Sequence, residues 1–120
     1  MKKLLIILIL AISSTESFSQ ARPFTYGADR RRYTVYLPAA YRQNTTTLYP
    51  LVFNFHGGGM TMTEQMFYSG MNEAAERFHF IVVYPQGIRQ DWNVGFDMPY
   101  QQGTDDVGFV KALLQKLSRT

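Results

Sequence analysis

Residues 56–59 read His-Gly-Gly-Gly and directly follow the apolar segment 51–55 (LVFNF). Glycine has no side chain, so a run of three lets backbone N–H groups approach a ligand closely and point at developing negative charge. His56, Gly57, Gly58 and Gly59 are therefore a candidate loop for stabilising an oxyanion during a reaction. The alternative interpretation is an ordinary tight turn between a strand and a helix.

A second candidate region is the long segment 86–104, which holds three glycines, one proline and the only tryptophan, Trp92. Long loops at the carboxyl ends of strands in open parallel sheets are frequent ligand sites. Trp92 and its neighbour Asn93 are therefore candidates for the wall of a substrate pocket. An indole at this position could equally plug the loop onto the domain.

Three segments have the pattern of strands that would position these loops. Residues 33–37 alternate between apolar and polar, as in a strand covered on one face. Residues 51–55 and 80–84 are mostly apolar, which is typical of strands covered on both faces inside a parallel sheet. Residues 20–29 show no periodicity and predict a surface lead-in, and residues 39–49 predict a polar connection.

Two segments have the spacing of helices. Apolar residues recur every three or four positions over residues 63–78, with a break expected at Ser69-Gly70. A second helix is predicted to begin at Thr104 or Asp105, with acidic residues at its start and basic residues at its end. The order of strand, helix, strand, loop and helix predicts an α/β domain with a mostly parallel sheet flanked by helices.

Composition excludes several classes of protein. The 120 residues carry 12 Lys or Arg and 9 Asp or Glu, for a net charge of +3, with 46% apolar residues and no cysteine. A disulfide-stapled miniprotein and a zinc-thiolate module are excluded, and the spread of both charge signs argues against a nucleic-acid partner. The one basic cluster, Arg30-Arg31-Arg32, is predicted to be a solvated strand edge, with an anion-binding or membrane-surface patch as the alternative.

The first 19 residues have the features of a secretory signal peptide. A positive start at Lys2 and Lys3 precedes nine apolar residues, 4–12, and a small-x-small pattern, Ser17-Phe18-Ser19. Nine apolar residues are too few to span a bilayer, which takes about 20, so we expect no stable membrane insertion after cleavage. The sequence thus predicts export, as a secreted or periplasmic protein, with residues 1–19 as signal peptide and 20–120 as the folded part.

Four segments, in order, resemble the secreted serine esterases of the polyhydroxybutyrate depolymerase and feruloyl or acetylxylan esterase type. They are residues 32–38 (RYTVYLP), 49–52 (YPLV) with 56–58 (HGG), 82–87 (VVYPQG) with 92–93 (WN), and 105–110 (DDVGFV). The resemblance implies the amino-terminal part of an α/β-hydrolase fold and an ester substrate, either a polyester or an acylated polysaccharide. It implies a serine acyl-enzyme mechanism with neither a metal nor an organic cofactor, and an oxyanion-hole role for residues 56–59.

The departure from that family is the absence of a G-x-S-x-G elbow. In the family this elbow follows the helix that starts near Asp105, and the triad acid and histidine come later still, so no triad residue is expected among these 120 residues. His56 is accordingly expected to orient the loop and not to act as general base. We expect a domain truncated before the nucleophile; the alternative is a non-catalytic polymer- or carbohydrate-binding remnant.

Overall fold

The computed structural model describes residues 20–119, so the predicted signal peptide lies outside the described residues. Four strands and four helices follow one another along the chain. In chain order they are β1 (Arg22–Tyr26), β2 (Asp29–Tyr36), α1 (Ala39–Gln43), β3 (Leu51–Phe53), α2 (Met62–Ser69), α3 (Met71–Phe78), β4 (Ile81–Pro85) and α4 (Asp106–Ser118). Two short 3-10 turns, Ile88–Gln90 and Tyr100–Gln102, lie in the segment between β4 and α4.

The four strands form one sheet in the order β1-β2-β4-β3. Only β3 and β4 are parallel, with Val52 opposite Val82, while β1 pairs antiparallel with β2 and β2 antiparallel with β4. The prediction of a mostly parallel sheet was therefore wrong, although the mixed α/β class is confirmed. An apolar run shows that a strand is covered on both faces, but it does not encode the direction of the neighbouring strand.

The segment predicted as a surface lead-in is the edge strand β1. Gly27 has a φ of +58°, a conformation that glycine adopts without steric cost, and this turn joins Tyr26 to its partner Asp29. Phe24 and Tyr26 point to the covered side and pack beside Tyr33 and Phe109. The hairpin thus gives the sheet its antiparallel edge.

Helices cover both faces of the sheet. On one face α4 contributes Phe109 and Leu113 to a cluster with Tyr33 and Val83. On the other, α2 and α3 pack on β4 through Met62 and Ala75, which lie with Val82 and Tyr84. No helix within residues 20–119 is long and apolar enough to cross a membrane.

The boundaries of the helices follow local signals that the sequence contains. The predicted break falls between α2 and α3, where Gly70 has a φ of +61°. Thr61 and Glu64 form a capping box at the start of α2, with each side chain bonded to the other's backbone N–H. Asp105 caps α4 by accepting the N–H of Gly108, which confirms the predicted start.

Arg31 is buried, contrary to the prediction of a solvated arginine cluster. Its Nη2 donates to Asp106 Oδ1 at 2.8 Å and its guanidinium lies 3.9 Å from the centre of the Phe109 ring. Successive residues of a strand point to opposite faces, so Arg31 enters the core while Arg30 and Arg32 stay exposed. This buried ion pair fixes the start of α4 to β2.

Candidate functional site

The buried side chain of His56 holds the glycine loop in place through hydrogen bonds. The residue is 3% exposed. Its Nε2 accepts the N–H of Gly87 at 2.9 Å and lies 3.1 Å from Gln86 Nε2, so the proton is on Nδ1, which donates to the carbonyl of Gly57 at 2.7 Å. Because both ring nitrogens are engaged inside the protein, the imidazole positions the loop and is not free to take a proton from a substrate.

Gly57 and Gly58 are exposed, and within residues 20–119 their N–H groups donate to no acceptor. A Cβ added to Gly57 would meet only Met60 Sδ, at 3.4 Å, and one added to Gly58 only Asp91 Oδ1, at 3.6 Å. Neither residue has a positive φ. The fold therefore gives no reason for glycine at these two positions, whereas a ligand approaching the backbone closely would need it.

Gly59 differs from its two neighbours. Its φ is +76°, in the region that side chains disfavour, and its N–H is bonded to the carbonyl of Gln90 at 2.8 Å. The positive φ of the turn thus explains the third glycine. Its N–H is already used to attach the loop to the segment after β4. Among the three glycines of the loop, Gly57 and Gly58 are thus the ones whose N–H groups have no acceptor within residues 20–119.

Trp92 packs on the glycine loop and also lines a cleft. Its indole N–H donates to the carbonyl of His56 at 2.8 Å, and its ring lies 4.9 Å from the imidazole and 5.2 Å from the Phe55 ring. Trp92, Phe55 and Val94 line an apolar cleft of about 520 Å³ together with the first turns of α4. Trp92 therefore anchors the loop and presents an apolar wall to this cleft, and its role in a substrate pocket stays a prediction.

Asn93 organises the backbone of its own loop. Its Nδ2 donates to the carbonyls of Tyr100 and Thr104, both at 2.9 Å, and its Oδ1 accepts the N–H of Gly95. Its backbone N–H donates to Asp106 Oδ2 at 2.6 Å. The amide is therefore committed to the loop, although Asn93 also borders a second cleft of about 690 Å³.

The Arg31–Asp106 ion pair is joined by hydrogen bonds to two segments of this site. Asp106 accepts from Arg31 through one oxygen and from the Asn93 backbone through the other. Arg31 also donates to the carbonyl of Gln86, the residue before Gly87. Sequence reasoning missed this network because nothing local marks Arg31 and Asp106 as partners across 75 residues.

Asp105 is a structural carboxylate whose surroundings stabilise its charge. Hydrogen bonds from the Tyr26 hydroxyl, the Gly108 N–H and the Tyr100 hydroxyl lower the pKa of Asp105. The hydrogen bond between the Tyr26 hydroxyl and Asp105 also raises the pKa of Tyr26. Asp105 thus joins β1 to α4 as a helix cap, the role predicted for it.

Among the described residues, neither Ser69 nor His79 forms a hydrogen bond with the glycine loop. Ser69 ends α2 and accepts the side-chain amide of Asn54 at 2.9 Å. His79 is exposed beyond α3, with a φ of +57°. Residues 20–119 contain no group of three or more His, Asp or Glu side chains that could hold a metal ion.

Comparison with known proteins gives one kind of match. No protein-family model and no curated protein matches the chain. Among solved structures, a ferulic acid esterase matches with a TM-score of 0.56 and 23% identity, over 81% of this chain and 43% of the esterase. The chain has a distant, esterase-like fold and spans less than half the length of that esterase.

Proposed function

We propose that this chain is part of an exported carboxylic-ester hydrolase that acts through a serine acyl-enzyme, of the polyhydroxybutyrate depolymerase or feruloyl or acetylxylan esterase type. The observation that carries the proposal is the pair Gly57 and Gly58, whose N–H groups are exposed and free and whose missing side chains the fold does not require. The esterase-like fold supports it. Export is proposed from residues 1–19 alone.

In this mechanism a serine oxygen attacks the ester carbonyl, and the carbonyl oxygen becomes an oxyanion. The N–H groups of Gly57 and Gly58 donate to that oxyanion, and removing one such donor typically lowers the rate about 100- to 1000-fold. His56 keeps these donors in place through its bonds to Gly57 and Gly87. The donors are thus fixed before the charge develops.

The apolar cleft beside the loop fits the acyl part of the substrate. Phe55 and Trp92 present aromatic surface next to His56, and Val94 extends it. An aromatic acyl group such as a cinnamate would bury apolar area there, with its carbonyl toward Gly57 and Gly58. This favours an aryl ester over a short acetyl ester.

The proposed mechanism needs a nucleophilic serine that is not recognisable among these 120 residues. No G-x-S-x-G occurs among the 120 residues, and within residues 20–119 the Ser69 hydroxyl is bonded to Asn54 and to the Met71 N–H, not to a histidine. The proposed reaction therefore needs a serine, a general base and its acid partner that this chain does not contain.

The test is to read the DNA after the codon for Thr120 in all three frames and to assay the encoded protein with methyl ferulate. The proposal expects a strand and a G-x-S-x-G elbow within roughly 30 residues, the length of a βαβ unit, and hydrolysis that depends on that serine. If no such elbow follows in any frame, ester hydrolysis by this route is refuted. Saturable retention of the chain on polyester or xylan would then favour the binding remnant.

A further inference from the structure

A separate cleft of about 380 Å³ lies between β2, the start of α2 and the turn after β4. The N–H of Gln86 donates to the carbonyl of Arg32 at 3.0 Å, so the chain after β4 continues alongside β2. Thr61, at the start of α2, forms another side of the cleft. The walls are therefore held by backbone hydrogen bonds and by a capped helix.

The lining of this cleft has an unusual charge. Four arginines border it and no Asp or Glu does. Arg31 is neutralised by Asp106, but Arg30, Arg32 and Arg89 are exposed, and within residues 20–119 none of these three forms an ion pair. Three arginines without an ion pair thus line one concave surface, next to the positive end of the α2 dipole, although Arg89 also borders the cleft of about 690 Å³, which three aspartates line.

The turn that carries Arg89 has a constrained backbone. Arg89 and Gln90 have φ values of +53° and +62°, which side-chain-bearing residues adopt rarely. The Gly59 N–H donates to the Gln90 carbonyl and so fixes one side of the turn. The turn also packs tightly on Gly87, because a Cβ at that position would lie 2.2 Å from the Asp91 carbonyl oxygen. Disfavoured backbone that the surrounding structure enforces is often found where ligands bind.

We propose that this cleft, which we call the arginine cleft, binds an oxyanion carried by a ligand, either a carboxylate or a phosphate group. Guanidinium groups donate in a planar fork that matches both anions. Arg30 and Arg32 leave β2 on the same face, two residues apart, and Arg89 comes from the turn after β4. The site is distinct from the Gly57–Gly58 donors and does not depend on ester hydrolysis.

The test uses the full chain and isothermal titration calorimetry at constant ionic strength, with inorganic phosphate, glucuronate and, as an uncharged control, glucose. We expect saturable binding of at least one anion, weakened about tenfold by Arg32→Gln and by Arg89→Gln, as for a lost hydrogen bond to a charged group. Arg77→Gln, on α3, removes the same charge elsewhere and should change the affinity less than twofold.

Tighter binding of phosphate would identify a phosphate ligand, and tighter binding of glucuronate an acidic sugar. The proposal is overturned if neither anion binds saturably, or if Arg77→Gln weakens binding as much as the two cleft variants. Because Arg32 and Arg89 are exposed, both variants should fold, and circular dichroism checks this. The outcome is independent of any esterase assay.

Discussion

Replacing each glycine of the loop by alanine separates the needs of the fold from those of a ligand. At Gly59 the φ of +76° places alanine in the left-handed region, which costs about 1–2 kcal/mol. At Gly58 the φ is not positive and the new methyl group meets one atom at an ordinary van der Waals distance, 3.6 Å. Both substitutions restrict the unfolded chain equally, so that contribution cancels between them.

The difference in free energy of unfolding between Gly58→Ala and Gly59→Ala should therefore be about 1–2 kcal/mol, with Gly58→Ala at least as stable as the parent. Urea unfolding of the full chain, followed by the fluorescence of Trp92, measures this directly. If Gly58→Ala were as destabilised as Gly59→Ala, the fold would require glycine at position 58. In that case the missing side chain at position 58 would serve the fold and not a ligand.

Three further predictions concern the groups that support the site. Asp106→Ala should lower the free energy of unfolding by about 3–5 kcal/mol, because it leaves the guanidinium of Arg31 buried without a carboxylate to balance its charge; a loss below about 1 kcal/mol in urea unfolding contradicts this. Because the pKa of Asp105 is lowered in the folded protein, its carboxylate stabilises the fold at a pH above the ordinary aspartate pKa of 3.8. This stabilisation is lost as the pH falls through the pKa that Asp105 has in the folded state. Asp105→Asn should therefore flatten the acid limb of a plot of stability against pH below about 4, and an unchanged slope would count against the Tyr26 and Tyr100 bonds. Burial raises the pKa of Tyr84 to about 12, so stability should fall as the pH rises from about 10 to 12, and Tyr84→Phe should reduce that fall; equal losses in both proteins would contradict it.

The features that the sequence predicted correctly are those with local causes. The apolar runs became β3 and β4, and the break at Ser69-Gly70 occurs where glycine takes a positive φ. The start of α4 follows from the side chain of Asp105, three residues before the N–H that it accepts. Such signals lie within a few residues of the structure they determine.

The features that were missed depend on partners far apart in the chain. Strand β1 has Phe24 and Tyr26 on its covered side, a short alternation that becomes significant only when β2 and α4 are present to cover it. Arg31 was assigned to solvent because burial of an arginine depends on a carboxylate, here Asp106, that is 75 residues away. The direction of each strand likewise depends on how the segments between the strands bring the chain back to the sheet.

In the candidate site, the sequence indicated the loop and Trp92 but not how they are joined. The glycine run marks residues 57–59, yet only the structure distinguishes Gly59, which the turn requires, from the two free donors. The bonds that Gly87 and Trp92 donate to His56 connect residues that are 31 and 36 positions apart in the chain. No pattern within either segment encodes those contacts.

The most direct test of the central claim is to observe the loop N–H groups while an oxyanion is added. The full chain, labelled with ¹⁵N-glycine, gives a separate amide signal for each glycine, and ferulate, the acid released from a feruloyl ester, supplies the carboxylate. If these N–H groups bind the oxyanion, the amide protons of Gly57 and Gly58 will show saturable downfield shifts, while those of Gly27 and Gly70, in exposed turns, will stay unshifted as controls. Shifts at Gly57 and Gly58 no larger than at Gly27 and Gly70 would contradict it.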